Sequence, residues 1–386
     1  MLIGIPKEVM INENRVAAVP ETVEKFIKMG FDVLVEDSAG QGVFRSNAEY
    51  EKAGARIAPD GESVFTEADI VLKVKEPTLN EATNRHELEY VKENSTLITF
   101  LHPASPGNHD MVRKLRDKNV TSFTMDGIPR ISRAQRMDAL TSMSTVTGYK
   151  AVLIAANHLP KFIPMIGTSI GMIKPANFLV IGAGVVGLQA IATAKRLGGV
   201  TKAVDIRDAA RTEAASLGAK IAGYEVPEDL ALGEGGYAKS LPEDTLEKER
   251  AALKPLVYEA DVVVLSALVP GEVAPTLITE DMVQEMKPGS VIIDVSVDQG
   301  GNCALTRPGR EEYRHGVLIS GIKNIPGSLP VHSTWLYANN MYYYVENLCK
   351  KGLDQFDMDD EIVGHSLVTY KGKILHAGAL KAMGAQ

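Results

Sequence analysis

The sequence is poor in cysteine and in long hydrophobic runs, and each shortage excludes a class of protein. Cys303 and Cys349 are the two cysteines among 386 residues, too few for a disulfide framework or a zinc cluster, and no metal site is predicted. No apolar run reaches the roughly 18 residues of a membrane span. The N-terminal MLIGIPKEVM lacks the pattern of a signal peptide. A cytoplasmic protein is therefore expected, peripheral to a membrane only through partner subunits.

Positive charge is scarce as well. Lysine and arginine number 41 against 49 aspartates and glutamates, which gives a net charge of −8 and a pI near 5.6. A chain of this sign does not attract phosphate backbones or anionic lipid, so no nucleic acid or membrane surface is expected as a partner. A hydrophobic content of 45% with 23% charged residues is typical of a globular protein, and the length allows two domains.

The segment 178–207 has the order of a dinucleotide-binding unit. An apolar run at 178–181 predicts a buried parallel strand, the turn GAGVVG follows it, and a helix comes next. In such a turn Gly182 permits the tight bend, Gly184 lets a pyrophosphate approach the backbone, and Gly187 lets the helix pack on its strand. The free N–H groups and the positive dipole at the start of the helix attract phosphates.

Asp205 ends the second strand of this unit. A carboxylate at that point accepts hydrogen bonds from the adenosine ribose and repels a 2′-phosphate, so NAD(H) is predicted as the cofactor. The neighbouring Arg207 leaves NADP(H) open as an alternative. The cofactor-binding residues predicted in this half of the chain follow three strands: Gly182, Gly184, Val185, Val186, Gly187, Asp205, Ile206, Arg207, Ser266, Ala267 and Leu268.

The rest of the chain alternates strand and helix patterns, which favours parallel α/β sheets. Strands are predicted at 2–5, 33–36, 70–75, 97–101, 120–124, 203–205, 261–266, 290–295, 317–320 and 366–370. Helices are predicted at 20–29, 108–118, 134–156, 244–253 and 331–348. Residues 167–175 are expected to form a loop. The acidic stretch that begins at 225 is expected to form a mobile surface loop before the helix at 244.

The predicted fold consists of two Rossmann-like domains, each with a doubly wound parallel sheet, separated by a cleft and linked by long helices. Residues 1–137 and 330–386 form one domain, because the last section has no nucleotide motif and is expected to return to the first. Residues 138–329 form the NAD(H)-binding domain.

Four charged residues follow predicted strands or turns. Arg15 lies in a turn after the first strand, Lys75 and His102 end two further strands, and Asp298 follows a strand of the second domain. Ligands of α/β sheets collect at the carboxyl ends of strands, so all four are expected at the cleft. An arginine and a lysine can hold a small carboxylate, and a histidine is a natural proton donor near neutral pH. Alternatively, each is a solvated surface charge.

A second group stands at the start of the long helix that links the domains. Arg130, Gln135 and Asp138 lie in the segment PRISRAQRMD. From composition alone they serve either a ligand or helix capping and salt bridges at the domain boundary.

Motifs along nearly the whole chain resemble the alanine dehydrogenase / nicotinamide nucleotide transhydrogenase family. They include GIPKE, ENRVAAVP, PRISRAQ, MDALTSM, GYKAV, IGAGVVGLQAIATAKRLGG, GGYAK, MKPGSVIID and QGGNC. Within the family the chain is most similar to the NAD(H)-binding domain I on the alpha subunit of proton-translocating transhydrogenase. The resemblance implies that Arg130, Gln135 and Asp138 meet the nicotinamide end of NAD(H), with Ser142 close by. It also implies that Tyr237 belongs to a loop that closes where an NADP(H)-bearing domain docks.

The same resemblance implies a second active site. Arg15, Lys75, His102 and Asp298 match the residues with which alanine dehydrogenases bind and protonate a 2-oxo acid, whereas the usual transhydrogenase domain keeps only the arginine. Two functions therefore remain: hydride transfer between NADH and NADP+ on the beta subunit (domain III) of a membrane transhydrogenase, or reduction of a small 2-oxo acid or imine to an amino acid. A non-catalytic NAD(H) sensor is the third alternative. A homo-oligomer is implied, a dimer for the first function and a hexamer for the second.

Overall fold

The chain folds into two compact units. In the computed structural model, residues 1–233, 236, 238–269, 273–353 and 355–384 are described. The first unit comprises Met1–Met143 and Pro326–Gln386, and the second comprises Ser144–Ile325. The second unit is therefore inserted between the two segments that build the first.

The described residues form strands and helices in alternation. The strands are β1 (Leu2–Ile5), β2 (Asp32–Glu36), β3 (Arg56–Ala58), β4 (Ile70–Leu72), β5 (Leu79–Asn80), β6 (Arg85–His86), β7 (Thr96–Thr99), β8 (Thr121–Thr124), β9 (Ile166–Thr168), β10 (Gly171–Ile173), β11 (Asn177–Ile181), β12 (Val200–Val204), β13 (Lys220–Ile221), β14 (Val262–Leu265), β15 (Val291–Asp294), β16 (Glu311–Arg314), β17 (Val317–Ser320), β18 (Leu367–Tyr370) and β19 (Lys373–Ile374). The helices are α1 (Pro20–Lys28), α2 (Asn47–Lys52), α3 (Gly61–Glu67), α4 (His109–Asp117), α5 (Ala139–His158), α6 (Val185–Arg196), α7 (Asp208–Ser216), α8 (Glu228–Ala231), α9 (Glu243–Glu259), α10 (Glu280–Gln284), α11 (Pro330–Leu348), α12 (Glu361–Ser366) and α13 (Ala377–Ala382).

The first unit is built on an eight-stranded sheet in the order β19-β18-β8-β7-β4-β1-β2-β3. The strands from β8 to β3 run parallel, while β18 pairs antiparallel with β8. Side chains of β4 alternate between two cores, as the strand period requires. Ile70 and Leu72 pack with Phe26 of α1 and Tyr344 of α11, whereas Val71 packs with Leu115 of α4.

The second unit is built on a seven-stranded sheet in the order β13-β12-β11-β14-β15-β17-β16, parallel except for the edge strand β16. Its central strands are buried on both faces, so they are continuous apolar runs. Val264 of β14 packs with Ile191 of α6, and Val263 packs with Val257 of α9. The predicted fold class, α/β with doubly wound sheets that are mostly parallel, is confirmed.

The prediction of one continuous helix over 134–156 is wrong. A 3-10 turn covers Ser132–Met137, and α5 begins only at Ala139. Asp138 separates them, because its Oδ1 accepts a 2.8 Å hydrogen bond from the backbone N–H of Thr141 and its Oδ2 a 2.6 Å bond from the Thr141 hydroxyl. An aspartate that bonds N–H groups of the next turn starts a helix in preference to continuing one.

The predicted loop at 167–175 is also wrong, since β9 and β10 form an antiparallel hairpin there. Three-residue strands whose side chains are mostly exposed carry no burial pattern, so periodicity could not find them. In the acidic stretch after 225, the structure has the short helix α8 and a bridge between Leu232 and Ala238. Residues 234, 235 and 237 of that predicted mobile loop lie outside the described residues.

Helix α9 runs past its predicted end at 253 to Glu259, through Pro255, because Leu253 and Val257 share one buried face. In the described residues no helix is both long and apolar enough to cross a membrane.

Candidate active site

The glycine-rich turn between β11 and α6 leaves no room for side chains at its ends. Gly182 has φ +91°, and a Cβ there would lie 2.6 Å from the carbonyl carbon and oxygen of Ser266. The contact arises because β14 runs beside β11, so that the Ser266 hydroxyl donates to the Gly182 carbonyl over 2.8 Å. A Cβ at Gly187 would lie 1.9 Å from the Gly182 oxygen. Both positions therefore require glycine for packing reasons.

Gly184 differs from its neighbours because the space beside it is open. The nearest heavy atom to a Cβ there would be Nη2 of Arg207, 3.9 Å away. Gly184 is also the N-cap of α6, and no side chain bonds the N–H groups of that helix end. Free N–H groups beside open space form a cradle for a phosphate, so the residues present fit a dinucleotide pyrophosphate.

Asp205 holds the turn and Arg207 together. Its Oδ2 accepts hydrogen bonds from the Ala183 N–H (2.7 Å) and from Nη2 of Arg207 (2.8 Å), and its Oδ1 accepts from the Arg207 N–H (2.8 Å) and Nε (3.0 Å). The hydrogen bond from Asp205 raises the pKa of Arg207. A ribose hydroxyl would therefore share this carboxylate with a guanidinium that could also receive a phosphate.

A second carboxyl group lies near Asp205, on α9. Burial, and then the charge of Asp205, raise the pKa of Glu249 to about 7. Sequence reasoning missed Glu249, since a glutamate on an amphipathic helix carries no signal that separates it from a solvated charge.

Asp205→Asn is expected to lower the preference for NADH over NADPH by about tenfold, or 1.4 kcal/mol. The substitution removes the charge that repels a 2′-phosphate and releases the Arg207 fork toward it. Fluorescence titration of both nucleotides measures the ratio of the two Kd values. Asp208→Asn, at an exposed position in the first turn of α7, is the matched control. A ratio that stays the same in Asp205→Asn would remove Asp205 from cofactor selection.

The segment after β14 is fixed by a buried asparagine. Asn302 accepts a hydrogen bond from the Ala267 N–H (3.0 Å) and donates one to the Ala267 carbonyl (2.9 Å). Its own N–H donates to Asp294 at the end of β15. Among the residues predicted here, Ser266 and Ala267 thus form the wall of the turn, and Leu268 keeps an accessible side chain.

Arg15, in the first unit, is buried and paired with Glu13. Nε of Arg15 lies 2.8 Å from Oε1 of Glu13, and Nη1 contacts the sulfur of Met143 at 3.0 Å. The arginine predicted to bind a substrate carboxylate thus already holds a carboxylate of the chain.

The two lysines that follow β4 have opposite environments. Lys73 is fully buried, with Nζ 2.7 Å from Glu87 and 3.2 Å from Glu8. Burial raises the pKa of Glu8 to about 7, although Lys73 opposes it. Lys75 is half-buried, and its carbonyl accepts a 2.9 Å hydrogen bond from Thr99. Lys73 is therefore structural, and Lys75 is the lysine whose ammonium can meet a ligand.

His102 follows β7 in a left-handed conformation, with φ +44°, and is stacked on Phe100 at 5.7 Å between ring centroids. Its Nδ1 lies 3.2 Å from Oδ2 of Asp126, and 42% of its side chain remains exposed. Burial lowers the pKa of His102, but the hydrogen bond and charge of Asp126 outweigh it and raise the pKa above its usual value. Burial raises the pKa of Asp126, yet its bonds to His102 and Thr124 bring it down to about 2.

Asp126 is thus a further residue that sequence reasoning missed. It lies in the turn after β8, and only the pairing of β7 with β8 brings it to His102. A carboxylate on one imidazole nitrogen leaves the other nitrogen for a ligand and stabilises the protonated ring.

Asp298 belongs to the second unit, in a 3-10 turn after β15. Its carboxylate is exposed and lies 3.4 Å from Nζ of Lys323. The other three strand-end residues, Arg15, Lys75 and His102, all belong to the first unit.

The Arg-Gln-Asp segment combines exposed side chains with a fixed backbone. Arg130 and Gln135 are exposed, whereas Asp138 caps α5 as described, and Ser142 donates its N–H to the Asp138 carbonyl. Arg133 forks onto Asp360 at 2.9 and 3.2 Å. Capping and ion pairing, the alternative roles for this segment, are thus present beside two side chains that a ligand can reach. Tyr237 lies outside the described residues.

Two family models cover most of the chain. The alanine dehydrogenase/PNT N-terminal domain matches residues 4–147, and the C-terminal domain matches residues 151–377. The chain belongs to the alanine dehydrogenase/PNT family. The first of the polypeptides that make up the alpha subunit of NAD(P) transhydrogenase in Rhodospirillum rubrum is 41% identical over 390 aligned residues that cover 100% of both chains.

The second branch of the alanine dehydrogenase/PNT family is more distant. Alanine dehydrogenase of Bacillus subtilis is 33% identical, over 100% of this chain and 95% of its own length. A crystal structure of transhydrogenase from Sinorhizobium meliloti superposes with a TM-score of 0.83 and 35% identity, covering 98% of this chain and 99% of that one. The resemblance stated from the motifs is confirmed, and the chain is an oxidoreductase of a family that uses pyridine nucleotides.

Proposed function

We propose that this chain is the NAD(H)-binding component of an NAD(P) transhydrogenase and passes hydride between NADH and NADP+ that is bound on a partner chain. The observation that carries this proposal is the end-to-end match, at 41% identity, to a polypeptide of a transhydrogenase alpha subunit. When bound, NADH supplies the hydride.

The residues of this chain bind and orient that cofactor. The open cradle at Gly184 and the N–H groups of α6 hold the pyrophosphate, and the carboxylate of Asp205 selects the adenosine ribose. Gln135 and Arg130 contact the nicotinamide end, with Asp138 fixing their segment. Transfer between two nucleotides needs proximity and orientation and neither an acid nor a base.

The partner chain carries NADP(H), and Tyr237 belongs to the loop against which it docks. We also propose that two copies of this chain associate. The hairpin of β9 and β10 pairs with neither large sheet and presents apolar side chains, among them Ile170 with 96% and Met172 with 67% exposure. Apolar surface of this kind is buried in an interface between subunits. Light scattering on the purified chain gives the mass that distinguishes a monomer, a dimer and a hexamer.

A second candidate function, reduction of a small 2-oxo acid or its imine to an amino acid, is supported by one observation. His102 is hydrogen-bonded to a carboxylate that raises its pKa, beside a lysine that can attract the substrate carboxylate. Nucleotide-to-nucleotide transfer has no use for such a pair. In this function Lys75 and Arg15 orient the substrate, His102 donates a proton, and Asp298 is the second proton-moving group.

One experiment separates the two functions. The purified chain is mixed with NADH, the isolated NADP(H)-binding domain of a transhydrogenase beta subunit, and an NADP+ analogue whose reduced form absorbs at its own wavelength. Reduction of the analogue is expected only when both proteins are present. The control contains the chain alone with NADH, pyruvate and ammonium. Consumption of NADH in the control, with no transfer to the analogue, would replace the transhydrogenase proposal with the second candidate.

A further inference from the structure

Glu76 has a carboxylate oxygen that lacks a partner. Its Oε2 is covered by protein and accepts no hydrogen bond from the described residues. A covered carboxylate oxygen has lost its water and is costly to leave without a donor. Such a group indicates that a donor from outside the chain completes the site.

The backbone around Glu76 explains why no donor reaches it. The N–H of Val74 donates to Oε1 of Glu8 over 2.6 Å, and the N–H of Thr78 donates to Oε2 of Glu87 over 2.9 Å. The residue between Glu76 and Thr78 is Pro77, which has no N–H to offer. Both neighbouring amide donors are therefore already used by other carboxylates.

The position of Glu76 places this oxygen at the strand-end cluster of the first unit. The Val74 carbonyl accepts from the Phe100 N–H over 3.3 Å, and the Lys75 carbonyl accepts from the Thr99 hydroxyl over 2.9 Å. The segment that carries Lys75 and Glu76 thus runs beside the segment that leads to His102. After burial and Asp126, the charges with most influence on the pKa of His102 are Glu76, which raises it, and Lys75, which lowers it.

The cluster therefore offers charges of both signs next to an imidazole. No ion pair joins Lys75 to Glu76 among the residues that the structure describes, so each keeps its charge for a ligand. A molecule with a carboxylate and an ammonium group on one carbon matches this arrangement. A 2-oxo or 2-hydroxy acid matches only the positive half.

We propose that Glu76 binds the ammonium group of a small 2-amino acid whose carboxylate is attracted by Lys75. The proposal rests on the second candidate function and adds the residue that recognises nitrogen there. An ammonium group has three N–H donors, and one of them completes the covered oxygen of Glu76. Glu76 is thereby the residue that distinguishes an amino acid from the hydroxy acid of the same shape.

The test compares L-alanine with L-lactate, which share a carboxylate and differ in an ammonium against a hydroxyl group. Calorimetric titration of the full chain in the presence of NADH measures both Kd values, and neither ligand can accept hydride from NADH. Glu76→Gln is expected to weaken L-alanine by at least about tenfold, or 1.4 kcal/mol, and to leave L-lactate within about twofold. Glu81→Gln, at an exposed position on the same connection, is expected to change neither.

Three results would overturn the proposal. Loss of both ligands in Glu76→Gln would mean that the residue only supports the local fold. An unchanged affinity for L-alanine would remove Glu76 from the site. Either of these leaves the second candidate function standing. Absence of binding of both ligands to the unsubstituted chain would overturn that function together with the role of Glu76.

Discussion

His102→Ala is expected to lower NADH-dependent reduction of a 2-oxo acid by about 10²–10⁴-fold, the usual effect of losing a positioned acid or base. The same substitution is expected to leave hydride transfer to an NADP+-bearing partner unchanged, because that transfer moves no proton. His102 is suited to donate a proton because Asp126 binds its Nδ1 at 3.2 Å while much of the ring stays accessible. Stopped-flow measurement with pyruvate and ammonium gives the rate of the hydride step.

Asp126→Asn separates positioning from chemistry in the same assay. Asp126 raises the pKa of His102, and reduction needs the protonated ring, so the rate falls as pH rises through that pKa. Without the carboxylate the pKa of His102 is lower, and the fall moves to lower pH. His332→Ala, at an exposed position of α11, is the control. A full rate of oxo-acid reduction in His102→Ala would exclude the histidine as the acid and leave its pair with Asp126 a structural one.

Gly184→Ala and Gly187→Ala are expected to fail in different ways although they lie three residues apart. A Cβ at Gly184 meets no atom closer than 3.9 Å, so the protein should fold normally. That Cβ takes the space of the pyrophosphate, and NADH is expected to bind at least about tenfold more weakly. A Cβ at Gly187 would lie 1.9 Å from the Gly182 oxygen, and the overpacking should destabilise the unit by about 3 kcal/mol.

Thermal melting and NADH titration of both variants measure the two effects. Gly184→Ala should keep the melting temperature of the unsubstituted chain, whereas Gly187→Ala should lower it by about 2–4 °C per kcal/mol. Equal stability of the two variants would contradict the close contact at Gly187. Unchanged NADH affinity in Gly184→Ala would place the pyrophosphate elsewhere.

The features of the site that could be predicted are those set by local chain geometry. The glycine turn is one of them, since a strand, three glycines and a helix within thirty or so residues define its backbone. The fold class followed from the alternation of apolar runs with helical periods, because parallel strands buried on both faces can be recognised without knowing their neighbours.

The features that could not be predicted depend on pairings between distant segments. Lys73 and Lys75 look alike in the sequence, yet Glu8 and Glu87 bury the first and leave the second accessible. Asp126 reaches His102 only through the register of β7 and β8. The break at Asp138 depends on which of two roles its side chain adopts, a choice that propensity does not decide.

The strand order of the first unit also sets the sequence of events during synthesis. Strand β18, which covers β8, is translated only after the whole second unit has left the ribosome. Until then β8 is an open sheet edge, with unpaired backbone groups that other chains can join. The second unit, made from one uninterrupted segment, can complete its sheet first. The interval in which β8 is uncovered is therefore the period when the nascent chain most needs a chaperone, and its length grows with every residue inserted between α5 and α11.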